Sequence, residues 1–204
     1  MSKLLLATEN KGKLVEIQAI LADTNINLIL PWQIGLRLDV VEDGETYAEN
    51  ATCKALAYMH ASGMVALADD SGLEVDVLGG RPGVHSHRFV PQPGATDADR
   101  RAYLLYLLAD LPRPWQARFR CVAAIATPAG QLFYSEGECT GEIISEERGS
   151  DGFGYDPIFF LPDYGLTMAE IGRPVKNTVS HRARAIGAAR SLLHQICTSS
   201  NSME

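Results

Sequence analysis

The stretch from Lys3 to Pro31 constrains the fold more than any other part of the chain. Lys3 to Ala7 read as a short buried strand that breaks off at Thr8-Glu9-Asn10-Lys11-Gly12-Lys13. Leu14, Ile17 and Leu21 then recur at helical spacing up to about Asp23, and Ile26 to Leu30 form a second apolar run stopped by Pro31. A strand leading through one helix into another strand predicts a βαβ unit with a parallel pair, because a crossover returns the chain in the same direction. The loop after the first strand of such a unit, here Thr8 to Lys13, faces the ligand side of the sheet.

The rest of the chain predicts a mixed α/β protein. A helix is expected over Glu45 to Ser62, with Tyr47, Ala51, Ala55 and Met59 on one face and Gly63 as its stop. Met64 to Ala68 and Leu73 to Val77 read as two further strands, and Gly79-Gly80-Arg81-Pro82-Gly83 as a turn. Thr96 with Asp99 forms a capping-box pattern opening a helix through about Ala109. Phe119, Cys121, Ala123 and Ile125 alternate, and Ala129-Gly130 turns that strand back into Gln131 to Ile143 as a long hairpin, which departs from a simple doubly wound sheet. The last helix is expected from about Thr178 to Cys197, through Val179, Ile186, Leu193 and Ile196. One domain over 1–197 is expected, followed by a small polar tail at 198–204.

Composition narrows the function classes. At 204 residues, with 46% hydrophobic and 21% charged residues, the chain is globular rather than fibrous or disordered. No apolar run reaches the length of a membrane span, and Thr8-Glu9-Asn10 interrupts the N-terminal run before it can form a signal core, which predicts a cytoplasmic protein. A net charge of -7 argues against binding a nucleic-acid polymer, which takes a basic surface. Cys53, Cys121, Cys139 and Cys197 are scattered without a CxxC pair, so reduced thiols are expected rather than a zinc site or a disulfide framework.

Five segments carry candidate chemistry. In Thr8 to Lys13 a strand end meets a helix start, where backbone N–H groups, the helix dipole and two lysines can face a phosphate. The segment lacks GxxxxGK[ST] and also suits an exposed turn. Asp69-Asp70-Ser71-Gly72 follows an apolar run, so its carboxylates are expected at a strand end. Adjacent acids repel unless a cation offsets them, and Mg²⁺ takes oxygen ligands, while an Asx turn is the plainer alternative. Glu42, in Glu42-Asp43-Gly44-Glu45, either adds a ligand or is a solvated loop charge.

Gly152-Phe153-Gly154-Tyr155-Asp156-Pro157 sets two aromatics and a carboxylate among glycines, which suits either a flat ligand or a turn with its rings in the core. Ser180-His181-Arg182, with Lys176 just before it, puts basic residues at a helix N-terminus, where they oppose the dipole and fit an anion or electron-rich ligand better. His85 and His87 lack a third ligand and are given no role.

In this order the segments resemble the inosine triphosphatase-like family of purine nucleoside-triphosphate pyrophosphatases. The resemblance runs from Leu4-Leu5-Leu6-Ala7 and Thr8 to Lys13 through Glu49-Asn50-Ala51, Ala68 to Leu73 and Gly79 to Val84, and on to Gly152 to Pro157 and Ser180 to Arg182. It implies an elongated mixed sheet flanked by helices in two lobes, a cleft for the active site, Mg²⁺ as cofactor and a homodimer. Carried over by position, Thr8, Glu9, Asn10, Lys11, Gly12 and Lys13 would bind the triphosphate, Asp70 would be general base and metal contact, and Glu42 the second metal residue. Ser71 would touch the substrate, Phe153, Gly154, Tyr155 and Asp156 would hold the base, Lys176 would contact the nucleotide, and His181 with Arg182 would read its 6-oxygen.

Three departures bear on local geometry: Glu9 beside the phosphate loop, Arg173-Pro174-Val175 before Lys176, and Ser86-His87-Arg88 where the family often has Ser-Ala-Arg. The implied reaction is attack of water on the α-phosphorus with pyrophosphate leaving, which needs no covalent nucleophile. GxSxG is absent, against a Ser180-His181 hydrolase. Ser180-His181-Arg182 argues against a Maf-like pyrophosphatase, and the intact Asp69-Asp70 pair with Glu42 against a non-catalytic nucleotide sensor.

Overall fold

The computed structural model of the chain describes residues 3–199. In chain order the elements are β1 (Lys3–Leu6), α1 (Lys11–Ile20), β2 (Asn27–Ile29), α2 (Tyr47–Ser62), β3 (Ala66–Val75), α3 (Asp97–Leu108), β4 (Trp115–Ala126), β5 (Leu132–Ile143), β6 (Phe159–Leu161), β7 (Leu166–Thr167), α4 (Arg173–Val179) and α5 (His181–Ser199). They form a mixed sheet of seven strands in the order β2-β1-β3-β4-β5-β6-β7. The expected βαβ unit is present: β1 pairs in parallel with β2, Leu4 opposite Leu28, and with β3, Leu5 opposite Ala66. At the other end of the order β6 is antiparallel to both β5 and β7.

The chain divides into two compact units. The first gathers the chain up to Asp70, Cys121–Gly137 and the chain from His181 onward; the second gathers Ser71–Arg120 and Glu138–Ser180. In the first unit, strand alternation builds two cores. Leu4, Leu6, Leu67, Ala123 and Ile125 join Leu14 and Ile17 of α1 and Ile186, Ala189 and Leu193 of α5. Their neighbours Leu5, Ala7, Ala66, Ala68, Ala124 and Ala126 pack instead with Ala51, Ala55, Tyr58 and Met59 of α2. Successive side chains leave a strand on opposite faces, so these strands are covered by helices on both sides. The second unit has its own core, in which Leu104 and Leu108 of α3 meet Leu73, Phe119, Ile158 and Phe159.

Helix starts follow local chemistry. Thr46 and Glu49 cap α2 reciprocally, as do Thr96 and Asp99 at α3, and each box satisfies N–H groups that a first turn leaves open. The β4–β5 connection closes through the Gly130 N–H on the Thr127 carbonyl at 2.9 Å.

Three expectations change. Met64 to Ala68 and Leu73 to Val77 are not separate strands: β3 runs unbroken from Ala66 to Val75, so Asp69 and Asp70 lie within a strand rather than at its end. The last helix does not begin at Thr178. Val179 closes α4, Ser180 is extended (φ -65, ψ 155), and α5 starts at His181 and continues to Ser199. Apolar spacing continues across Ser180, which hides the break. The remainder of the expected tail, from residue 200, lies outside the described residues.

Candidate active site

Because Asp69 and Asp70 are consecutive in β3, they project to opposite faces and meet different helices. Asp69 shares the face of Leu67, toward α1 and α5. Its side chain is fully buried, and Lys13 Nζ and Arg182 Nε each lie 3.1 Å from Oδ2. Lys13 also donates to the Asp69 backbone carbonyl at 3.1 Å. Arg182 continues the chain to Glu16 of α1, and the Cys121 thiol sits 3.8 Å from Asp69 Oδ2. Burial alone would raise the Asp69 pKa, but Lys13 and Arg182, with Lys54, outweigh it and hold the carboxyl well below the usual range. Burial, reinforced by Asp69, pushes the Cys121 thiol up, so it stays protonated.

Asp70 takes the face of Ala68, toward α2. Asn50 donates its Nδ2 to Asp70 Oδ2 at 3.0 Å and accepts the Gly44 N–H on Oδ1 at 2.9 Å, which fixes the orientation of the amide. Lys54 Nζ is 2.6 Å from Glu42 Oε2 but 3.8 Å from Asp70 Oδ1. Burial raises the Asp70 pKa against the pull of Lys54, Lys13 and the Asn50 hydrogen bond, and Glu42 adds to the rise. Asp70 is thus a buried carboxyl with incomplete compensation, raised in pKa, and perturbed carboxyls of this kind are candidates for proton transfer.

The donor set here fits Mg²⁺. Two carboxylates, Glu42 and Asp70, already share one ammonium, so a cation between them is the electrostatic preference of the site. No cluster of three or more His, Cys, Asp or Glu ligands occurs among the described residues. Mg²⁺ characteristically takes one or two carboxylates and completes its shell with water and substrate phosphates.

The Thr8 to Lys13 segment is only partly a loop. Thr8 is buried and accepts the Asn10 N–H at 3.2 Å, and Glu9, Asn10 and Lys11 are exposed. Asn10 is the N-cap of α1, and its Oδ1 takes the N–H groups of Gly12 at 2.9 Å and Lys13 at 3.1 Å. These two amides, expected to face a phosphate, are already occupied.

In the second unit Ser71 is half-buried in β3. Asp156 and Lys176 form a buried pair at 2.5 Å, and Asp156 Oδ2 also accepts the Phe153 N–H at 2.9 Å. Lys176 Nζ lies 5.2 Å from the Phe153 ring centroid, within cation–π range. A side chain at Gly152 would run into the Asp156 carboxylate and come within 3.0 Å of Lys176 Nζ. Tyr155 is buried with its hydroxyl on the Ser86 carbonyl at 2.9 Å. In the first unit, His181 and Arg182 open α5, both buried.

Sequence reasoning missed Glu16, Lys54 and the part played by Asn50. A signal for each was present. Asn50 and Lys54 stand four apart beside Ala51 and Ala55, and Glu16 is three residues after Lys13, both spacings that share a helix face. Among the described residues none of the four cysteines is in a disulfide, and no helix is long and apolar enough to cross a membrane.

Curated relatives and solved structures resemble the chain over nearly its whole length. A dITP/XTP pyrophosphatase of Desulforamulus reducens is 46% identical over 195 residues, 95% of this chain and 96% of the relative. One from a Nostoc species is 47% identical over 194 residues, 92% and 93% of the two chains. The structure of a HAM1 protein from Coxiella burnetii superposes with a TM-score of 0.86 at 38% identity, covering 96% of this chain and all of that one. The profile of the Ham1 family matches residues 4–192, and the chain belongs to that family.

Proposed function

We propose that this chain is a nucleoside-triphosphate pyrophosphatase that hydrolyses deaminated purine nucleotides (ITP, dITP and XTP) to the monophosphate and pyrophosphate, so keeping them out of DNA and RNA. The observation that carries the reading is Asp70: buried, raised in pKa, oriented by Asn50 and facing Glu42 across Lys54. The names of the curated relatives, dITP/XTP pyrophosphatase, support it.

Asp70 takes the proton of the water that attacks the α-phosphorus, and pyrophosphate departs. Mg²⁺, held by Asp70 and Glu42, would supply charge neutralisation on the phosphates and a more acidic water. Lys13 and the Thr8 to Lys13 segment bind the triphosphate, with exposed Lys11 adding positive charge. Phe153 stacks on the purine, Gly154, Tyr155 and Asp156 frame it, Lys176 contacts the nucleotide, and Ser71 touches the substrate. His181 and Arg182 donate to the 6-oxygen; because Arg182 already serves Asp69 and Glu16, its base contact is made beside or in exchange for those pairs. Hydrogen-bond donors at that position favour inosine and xanthosine over adenine, whose C6 carries an amino group.

Residues 1–197 acting as one catalytic domain, a homodimeric assembly and a cytoplasmic location complete the proposal. The test is steady-state kcat/KM for ITP, XTP, GTP and ATP with Mg²⁺, assaying pyrophosphate and phosphate separately. ITP and XTP should far exceed ATP, by up to about 10⁴-fold where a mismatched base leaves buried groups unpaired. Equal efficiency on ITP and ATP, or release of phosphate instead of pyrophosphate, would refute the reading.

A further inference from the structure

Helix α3 grips the loop that carries Phe153 through the backbone of one residue. The Gly154 N–H donates to Asp97 Oδ2 at 2.8 Å, and the Gly154 carbonyl accepts from an Arg101 guanidinium nitrogen at 2.8 Å. Asp97 and Arg101 are one helical turn apart and leave α3 on the same side. Their grip is itself braced. Arg101 donates to both carboxylate oxygens of Glu147, at 2.8 and 2.9 Å, and a bidentate pair of this kind fixes the guanidinium plane. The second oxygen of Asp97 accepts from Arg100 at 2.6 Å, and Arg100 is anchored on the carbonyls of His87 and Ala95 at 2.7 and 2.8 Å.

The N–H of Gly154 belongs to the peptide it shares with Phe153, its carbonyl to the peptide it shares with Tyr155. Opposite charges therefore lock both flanking peptides against rotation. Gly154 is left-handed (φ +61), yet nothing lies within 4 Å of where a Cβ would stand. The constraint at this position is backbone direction, not space, and backbone direction aims the Phe153 ring. We infer that Asp97 and Arg101 are positioning residues for base recognition, acting through Gly154 to hold Phe153 in stacking orientation. This rests on the reading that Phe153 faces the purine.

The test is steady-state kinetics with ITP and Mg²⁺, alongside thermal melting, for Asp97→Ala, Arg101→Ala, Phe153→Ala and the double variant Asp97→Ala/Phe153→Ala. Each clamp variant should raise KM about fivefold to tenfold, the scale of one lost charge-assisted hydrogen bond, with a much smaller change in kcat. The double variant should be no worse than Phe153→Ala, because the clamp works through that ring. Asp97→Asn retains an acceptor and should recover most of the KM; it also stands in if Asp97→Ala does not fold. A folded clamp variant with wild-type KM, or additive losses in the double variant, overturns the inference. If Phe153→Ala raises KM while the clamp variants do not, the clamp alone is wrong. If Phe153→Ala leaves KM unchanged, the base-facing reading falls and takes the clamp with it.

Discussion

Asp69 and Asp70 are neighbours in sequence, yet the two faces of β3 treat them in opposite ways. Toward α1 and α5, Asp69 is fully enclosed and doubly paired, with Lys13 and Arg182 on the same oxygen and Glu16 behind Arg182. Toward α2, Asp70 has one close hydrogen bond, from Asn50, and an ammonium that stands nearer to Glu42 than to it. One carboxyl is driven down in pKa and the other up. The difference teaches that a carboxylate can be neighboured by charge and still be available. Where two cations neutralise it the group holds structure together, and where compensation is incomplete it remains able to accept a proton.

The largest effect expected from breaking the comparison is on turnover. Asp70→Asn should lower kcat by about 10² to 10⁴ while leaving the fold intact, because the amide cannot accept the water's proton and ligates Mg²⁺ poorly. Pyrophosphate release under saturating ITP measures it, and a wild-type kcat would remove Asp70 from the mechanism. Next comes the opposite face. Asp69→Asn should destabilise by about 3 kcal/mol, since removing one member of a buried ion network strands the others. The Asp69 pKa is depressed in the fold, so its stabilisation is fully present above the ordinary carboxylate range, begins to fall within it and is lost only as pH drops to the depressed folded value. Urea unfolding should therefore separate wild type and variant widely at pH 7 and still clearly, though less, near pH 3.

Lys13→Ala sharpens the contrast, because Lys13 is bound to Asp69 here and is also proposed to meet the triphosphate. It should raise KM for ITP about tenfold, as loss of a charge-assisted contact would. A normal KM with reduced stability would assign the lysine to Asp69 alone. The smallest effect has the least expected sign. The Asp70 pKa is raised, so its folded state holds the proton more tightly, and ionisation costs stability as pH climbs from the unfolded value to the folded one. Above the folded value that cost is complete, so at such pH Asp70→Asn should melt slightly higher than wild type by calorimetry; a lower midpoint would mean that the Asp70 carboxylate, like that of Asp69, holds the fold together.

Much of this is legible in the sequence where one local rule decides the outcome. The βαβ start, both capping boxes and the Tyr47, Ala51, Ala55, Met59 face of α2 follow from spacing and short-range hydrogen bonding. Asp69-Asp70-Ser71-Gly72 reads as the end of a strand because its composition is that of a turn; Lys13, Arg182 and Asn50, distant in sequence, are what make two carboxylates tolerable in mid-strand. The break at Ser180 is hidden for a related reason, since Val179 and Ile186 keep helical spacing although the backbone between α4 and α5 is extended. Pairings such as Lys54 with Glu42 depend on where α2 and its preceding loop come to rest, which no periodicity records.

The layer between α2 and the strands is rich in methyl groups, with Ala7, Ala66, Ala68, Ala124 and Ala126 below and Ala51 and Ala55 above, beside the larger Leu5, Tyr58 and Met59. Such a layer works as a spacer. Its thickness is set by the smallest side chain that still has a Cβ, and it determines how far the Asn50 amide stands from Asp70. A single Ala→Val replacement there would cost about 1–3 kcal/mol in overpacking, and it would also lift α2 and stretch the 3.0 Å reach on which the orientation of Asp70 depends. Tolerance in this part of the molecule is therefore set by reach rather than by hydrophobicity, so that an apolar change far from any charge can still detune the carboxyl that does the chemistry.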